Sequence, residues 1–262
     1  VDAPRRFFGE KYWNRPLTSW NRDAQAAGER RRVFCASMAD VFEIHRNQTT
    51  QTDLNAARSR LWDLIEQTDW LDWLLLTKRP ENVMGYIPAA WRAGHMPSNV
   101  LFGTSVENQE QADLRIPHLL RVPDAVRFLS VEPLLGPVDI TGDGMGLYES
   151  AGPEWAGMNR ADPGIDWVIV GGESGPGARP MHADWARSLR DQCVDAGVAF
   201  NFKQWGEWIG VGQVSEARTT GNETLHPWPD GRVSARVGKK IAGRLLDGRE
   251  WNEFPDAQTT RV

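Results

Sequence analysis

Six short apolar runs punctuate the chain, and each stops at polar residues or glycine. They are RVFCAS (32–37), DWLLLT (72–77), NVLFGT (99–104), VRFLSV (126–131), DWVIVGG (166–172) and VAFNFK (198–203). Their apolar positions are continuous rather than alternating, which predicts strands buried on both faces. Helical patterns lie between them. In TDLNAARSRLWDLIEQT (52–68), Leu54, Ala57, Leu61, Leu64 and Ile65 fall on one stripe. NQEQADLRIPHLLRV (108–122) begins acidic and ends basic, as the helix dipole favours, and Pro117 is expected to kink or divide it. ADWARSLRDQCVDAG (183–197) carries Asp184 in its first turn and Gly197 as its stop.

The run starts are spaced by about 25–40 residues, the size of one strand–helix unit. Repetition of that unit predicts an α/β fold with mostly parallel strands, either an open doubly wound sheet or a barrel. Residues 141–164 break the alternation and are expected to form a loop insertion. After residue 204 the chain turns to glycines and short β-like pieces, with Asp247-Gly248 as a hairpin candidate. The expected organisation is therefore a barrel-like domain over 1–204 and a small β-rich extension over 205–262, packed on it. The chain opens at Val1 in VDAPRRFFGEKYW, which reads as the inside of a protein and is expected to be N-terminally truncated.

Composition narrows the picture. A 262-residue chain can bury a large core, and 40% hydrophobic content is ordinary for a globular protein. A net charge of −5 argues against broad capture of nucleic acid but leaves room for a local basic patch. No apolar run approaches the roughly 18 residues of a membrane span, so no membrane partner is expected. Two cysteines, Cys35 and Cys193, make neither a disulfide framework nor a metal-ligand set; both read as core thiols in a reducing, cytoplasmic setting. Several of the 13 tryptophans follow an aspartate, as in Asp72-Trp73, Asp166-Trp167 and Asp184-Trp185. They are expected at element ends, with the indole N–H finding a partner.

In parallel α/β folds, ligands bind at the carboxyl ends of the strands. Those ends carry Lys78 and Arg79, then Ser105 and Glu107, then Glu132, then Gly171, Gly172 and Glu173, then Lys203 and Gln204. Glu107, Glu132 and Lys203 are candidates for acid–base work. Glu107 alternatively supports a helix N-terminus. Lys78 and Arg79 suit an anionic substrate, or pair with carboxylates of the rim. His182, which opens a helix, and Gln204 are further substrate-side candidates, although capping is the commoner role for such a histidine. The loop VIVGGESGPGARP (168–180) has neither the P-loop nor the dinucleotide pattern, and Glu173 would repel a phosphate. An acidic Gly-Gly-Glu loop suits an amine or sulfonium; alternatively it is a tight turn whose carboxylate bonds to backbone N–H groups. No H-E-x-x-H, paired C-x-x-C or G-x-S-x-G is present, so no metal site is expected.

Several blocks are familiar together: RVFCASMADVFE (32–43), WLLLTKRPENV (73–83), NVLFGTSVENQEQADLRIPHLL (99–120), RFLSVEPLLGPVDI (127–140), IDWVIVGGESGPGARPMHADWARSLRDQC (165–193), FKQWGEW (202–208) and GKKIAGRLLDGREWNEFP (238–255). They resemble the phage gene product 37 / gene product 68 family of the DUF5131 type, grouped with radical-SAM barrels. The resemblance implies a partial TIM-like (β/α) barrel in a bacterial or phage-infected cell. It implies a [4Fe–4S] cluster held by an upstream cysteine triad, S-adenosylmethionine as cofactor, and a nucleic acid or peptide substrate. The candidate cofactor contacts in this chain are Gly171, Gly172, Glu173 and Ser105. The family's Gly-Gly-Glu follows an early strand and this one follows the fifth run, so Glu173 is not carried over by position, and its acidic character is what suits a cationic ligand. A non-catalytic binding barrel, or a metal-independent hydrolase or lyase using Glu107, Glu132 and Glu173, are the alternatives.

Overall fold

The computed structural model describes residues 5, 7–35, 39–123, 125–141, 164–213 and 223–255. The expected loop insertion at 141–164 lies almost wholly outside them. All six apolar runs form strands: β1 (Arg31–Cys35), β2 (Leu71–Thr77), β3 (Val100–Ser105), β4 (Val126–Val131), β5 (Trp167–Gly171) and β6 (Ala199–Gln204). They make one sheet in the order β1-β2-β3-β4-β5-β6. Strictly sequential order is that of a singly wound sheet, as in a partial (β/α) barrel, and not of a doubly wound one. A three-stranded antiparallel sheet follows, β7 (Trp208–Gly210), β8 (Thr224–Pro227) and β9 (Val233–Arg236), in the order β7-β9-β8.

The chain divides into two compact units, one of Val1–Thr104 with His118–Val126, the other of Ser105–Pro117 with Arg127–Val262. In the first unit, helices α1 (Glu10–Trp13) and α2 (Asn21–Ala27) precede β1, with a π-helical turn at Pro16–Trp20 between them. β1 and β2 pair in parallel from Arg31 against Leu71, and β2 pairs with β3 from Trp73 against Val100. The long helix α3 (Gln48–Glu66) joins β1 to β2 and starts earlier than the apolar stripe indicates, because Asn47 caps it by accepting from Thr50 N–H at 3.0 Å. Short helices α4 (Val83–Tyr86) and α5 (Ala89–Arg92) lead to β3. β2 is buried along nearly its whole length. β1 is not: Phe34 is 47% exposed. The expectation of two buried faces fails there because β1 stands at the end of the sheet with a single neighbour strand.

In the second unit, α6 (Gln109–Leu119) begins, β4 and β5 pair from Phe128 against Trp167, and β5 pairs with β6 from Trp167 against Ala199. The helix is not divided at Pro117. The proline sits in the last turn, where the helix ends two residues later, so few backbone bonds are lost. α7 (Ala183–Ala196) lies between β5 and β6 and ends at Gly197 with φ of 69°. The far edge of β6 is covered by the C-terminal segment: Phe202 N–H donates to Trp251 O, and Glu253 N–H to Phe200 O. That pairing removes an open edge. Asp247-Gly248 forms the expected two-residue turn, both φ values positive (54° and 76°), between Leu246 and Arg249; α8 (Lys239–Ala242) precedes it. No described helix is long and apolar enough to cross a membrane.

Candidate functional site

The second unit assembles a polar rim at the carboxyl ends of β4, β5 and β6. Glu132 follows β4 and Gly171 ends β5. An added Cβ at Gly171 would lie 3.0 Å from Glu132 Oε1, so the glycine leaves room for the carboxylate to cross β5. It meets β6 on the other side. Lys203 Nζ donates to Glu132 Oε2 at 2.7 Å, and Gln204 Nε2 donates to Glu132 Oε1 at 2.8 Å. The same amide nitrogen lies 3.4 Å from Ser174 Oγ. Glu132 is largely sheltered, its side chain 19% exposed, while the Lys203 side chain is 54% exposed. The ammonium is therefore presented outward from a carboxylate held in place.

Gly172 has a different task. Its added Cβ would sit 1.9 Å from Trp205 O, and one at Gly206 would sit 2.1 Å from Glu173 O. Two loops thus touch backbone to backbone, joined by Gly172 N–H to Gln204 O and Glu207 N–H to Glu173 O, each 2.9 Å. The paired glycines answer to this close approach. Glu173 bonds inside its own loop: its carboxylate accepts from Arg179 N–H at 2.7 Å, Arg179 Nε at 2.8 Å and Arg179 Nη2 at 2.8 Å. That clamp pulls the Glu173 carboxyl down to about 2. The loop is also pinned by Glu207 Oε1, which accepts from Gly175 N–H at 3.3 Å, and by Arg236 Nη2, which donates to Pro176 O at 2.7 Å.

The other carboxylate candidate stands in its own pair. Arg115 Nη1 on α6 donates to Glu107 Oε2 and to Ser105 O, each at 2.8 Å. Ser105 is buried, and its carbonyl is what this contact uses. Glu107 and Glu132 thus each have a cation of their own. In the first unit, Asp40 organises the end of β2: it accepts from Thr77 Oγ1 at 2.7 Å, Lys78 N–H at 3.0 Å and Arg79 Nη1 at 3.0 Å. Arg79 is therefore an ion-pair partner of a rim carboxylate.

His182 is the cap of α7. Its Nδ1 accepts from Asp184 N–H at 3.2 Å, and its Nε2 faces Asp230 Oδ2 at 3.2 Å. Asp184 and Asp230 bring ligand-capable atoms within 4.8 Å of it, a grouping a divalent ion could in principle use. The hydrogen bonds argue otherwise. An Nδ1 that accepts a backbone N–H leaves the neutral ring's proton on Nε2, where a metal would need a lone pair. Arg187 at 2.8 Å and Arg232 already neutralise Asp184.

A [4Fe–4S] cluster on a cysteine triad does not fit the residues present. The sequence has two cysteines. Cys35 lies on β1 and Cys193 on α7, and burial pushes each thiol up to about 12, away from the thiolate that iron requires. For a cofactor's ammonium, Glu173 is already engaged by Arg179, whereas Glu132 keeps acceptor capacity.

Arg115, Arg179 and Glu207 were not among the sequence candidates. Only Arg179 has a local signal, an arginine closing the glycine- and proline-rich loop that opens at Glu173. Trp73 Nε1 finds Thr68 Oγ1 at 2.9 Å as expected of an element-end indole, whereas buried Trp167 Nε1 has no partner among the described residues.

A family model described as "Protein of unknown function (DUF5131)" matches residues 2–255. No curated protein matches the chain. Among solved structures, a mutant of spore photoproduct lyase is similar at 14% identity with a TM-score of 0.36, over 84% of this chain and 58% of that one. The chain thus spans a little over half that protein's length, and a likeness so distant assigns no residue a role.

Proposed function

The chain belongs to the DUF5131 family, and we propose that it binds a ligand carrying a zwitterionic amino-acid head group at the β4–β6 rim. The observation that carries this is the Glu132–Lys203 pair, a carboxylate and an ammonium 2.7 Å apart and presented together at strand ends. Lys203 has three N–H donors and Glu132 four acceptor directions, so each keeps capacity beyond their mutual bond. A ligand carboxylate suits the outward ammonium, and a ligand ammonium suits the sheltered carboxylate. Gln204 holds Glu132 in orientation, and the backbone contact at Gly172 and Gly206 fixes the neighbouring loop.

The ligand we propose is S-adenosylmethionine, whose methionyl end is such a head group, and radical chemistry is the reaction class that the family resemblance implies. When bound, that cofactor supplies a sulfonium and, given an electron, a carbon radical. This chain's residues would bind and orient its head group. They do not supply the cluster, so no step is assigned to one. The ion pairs on Glu107, Glu132 and Glu173 favour binding over proton abstraction by any of the three.

Equilibrium dialysis tests the proposal. S-adenosylmethionine and methionine should both be retained by the protein, and adenosine should not. Retention of adenosine with no retention of methionine would remove the head-group reading.

A further inference from the structure

We infer that the N-terminal face of the first unit is a binding surface for single-stranded nucleic acid, independent of the β4–β6 rim. Residues 1–35 carry eight basic and four acidic side chains, in a chain whose net charge is −5. Within that segment Arg5, Arg22 and Arg30 pair with Glu43, Asp23 and Asp72, so the positive charge the surface can offer rests on cations such as Lys11 and Arg15. The same segment exposes a run of rings. Phe8 stacks on Tyr12 with centroids 4.3 Å apart and planes at 24°, and Tyr12 meets Trp20 edge-on at 6.4 Å. Phe8 is 67% exposed and Tyr12 46%. The Arg15 guanidinium lies 5.8 Å from the Trp20 ring centroid. Lys11, next to Tyr12 in α1, and Arg15 are exposed and have no carboxylate partner among the described residues.

Exposed rings set among cations without carboxylate partners match one polymer well. Bases offer π-faces to the rings whatever their identity, and phosphates offer charge to Lys11 and Arg15. An apolar protein surface would strip water from both cations without return. A second copy of this face would bring like charges together.

Fluorescence anisotropy with a labelled fifteen-residue oligodeoxythymidine tests this on the full chain. The parent should bind, with affinity falling as NaCl rises from about 50 to about 200 mM. Phe8→Ala and Tyr12→Ala should each weaken binding about tenfold, the effect of losing one stacked base, and Tyr12→Phe should retain it. Arg15→Gln should flatten the logarithmic salt dependence by about 0.7, one phosphate contact's worth. These positions are exposed, and circular dichroism of each variant checks that the fold is kept. The inference is overturned if the parent does not bind, or if both alanine variants bind as tightly as the parent. It is equally overturned if phosphatidylserine vesicles retain the protein while the oligonucleotide does not.

Discussion

At the residue scale, the Gly-Gly-Glu loop shows how far local chemistry is legible. Its glycines and its unsuitability for phosphate are visible in the sequence. What each glycine makes room for is not, because the partners lie far along the chain: Glu132 against Gly171, Trp205 against Gly172. Gly172→Ala should force the two loops apart and cost about 3 kcal/mol, at the upper end of overpacking effects, read as a lowered melting temperature. Gly177→Ala, where nothing lies within 4 Å of the added Cβ, should leave stability nearly unchanged. Glu173 gives a titration prediction. Its ordinary value is 4.5, and the Arg179 clamp lowers it to about 2. The pair's contribution to stability is therefore complete above about pH 4.5 and is lost as pH falls towards 2. In Arg179→Met, which removes the guanidinium but keeps the backbone N–H bond, the Glu173 carboxyl carbon followed by NMR should titrate at a higher pH than in the parent. An unchanged midpoint would show that Arg179 is not the cause.

At the scale of elements, apolar runs announced every strand of the six-stranded sheet. In β2, β3, β4 and β5 burial on two faces leaves no polar alternation to confuse, whereas β1 and β6 are only partly buried. Exposure of β1 was not announced, since being an edge is a property of sheet order and not of the run. Helix α3 shows a second limit. Its stripe of leucines is visible, yet Arg58 is buried with it, and reads as a surface residue in sequence. Arg58 Nε donates to Val41 O at 2.6 Å, Nη2 donates to Glu43 O, and the guanidinium lies 4.1 Å from the Tyr86 ring centroid. This arginine ties α3 to the segment that follows β1. Arg58→Met should leave those carbonyls without donors and cost about 1–3 kcal/mol for each one that water does not reach, measured by urea denaturation. A loss within a few tenths of a kcal/mol would mean that water replaces the guanidinium.

At the scale of the molecule, repeated strand–helix spacing foretold an α/β fold, and sequential strand order resolves the choice that spacing left open. The candidate site was legible as a list of strand ends but not as a set of partners. Spacing says which residues share a rim; it does not say that Glu132 crosses β5 to reach Lys203, while Glu107 turns to Arg115 on α6. The central claim rests on that crossing, and one calorimetric experiment addresses it most directly: titration of S-adenosylmethionine into the parent and into Lys203→Met. Loss of a charge-assisted hydrogen bond to the ligand carboxylate is worth about 1.5–3 kcal/mol, so the variant should bind about 10- to 100-fold more weakly while keeping its melting temperature. Equal affinity in the two proteins, or no heat of binding in the parent, would contradict the account.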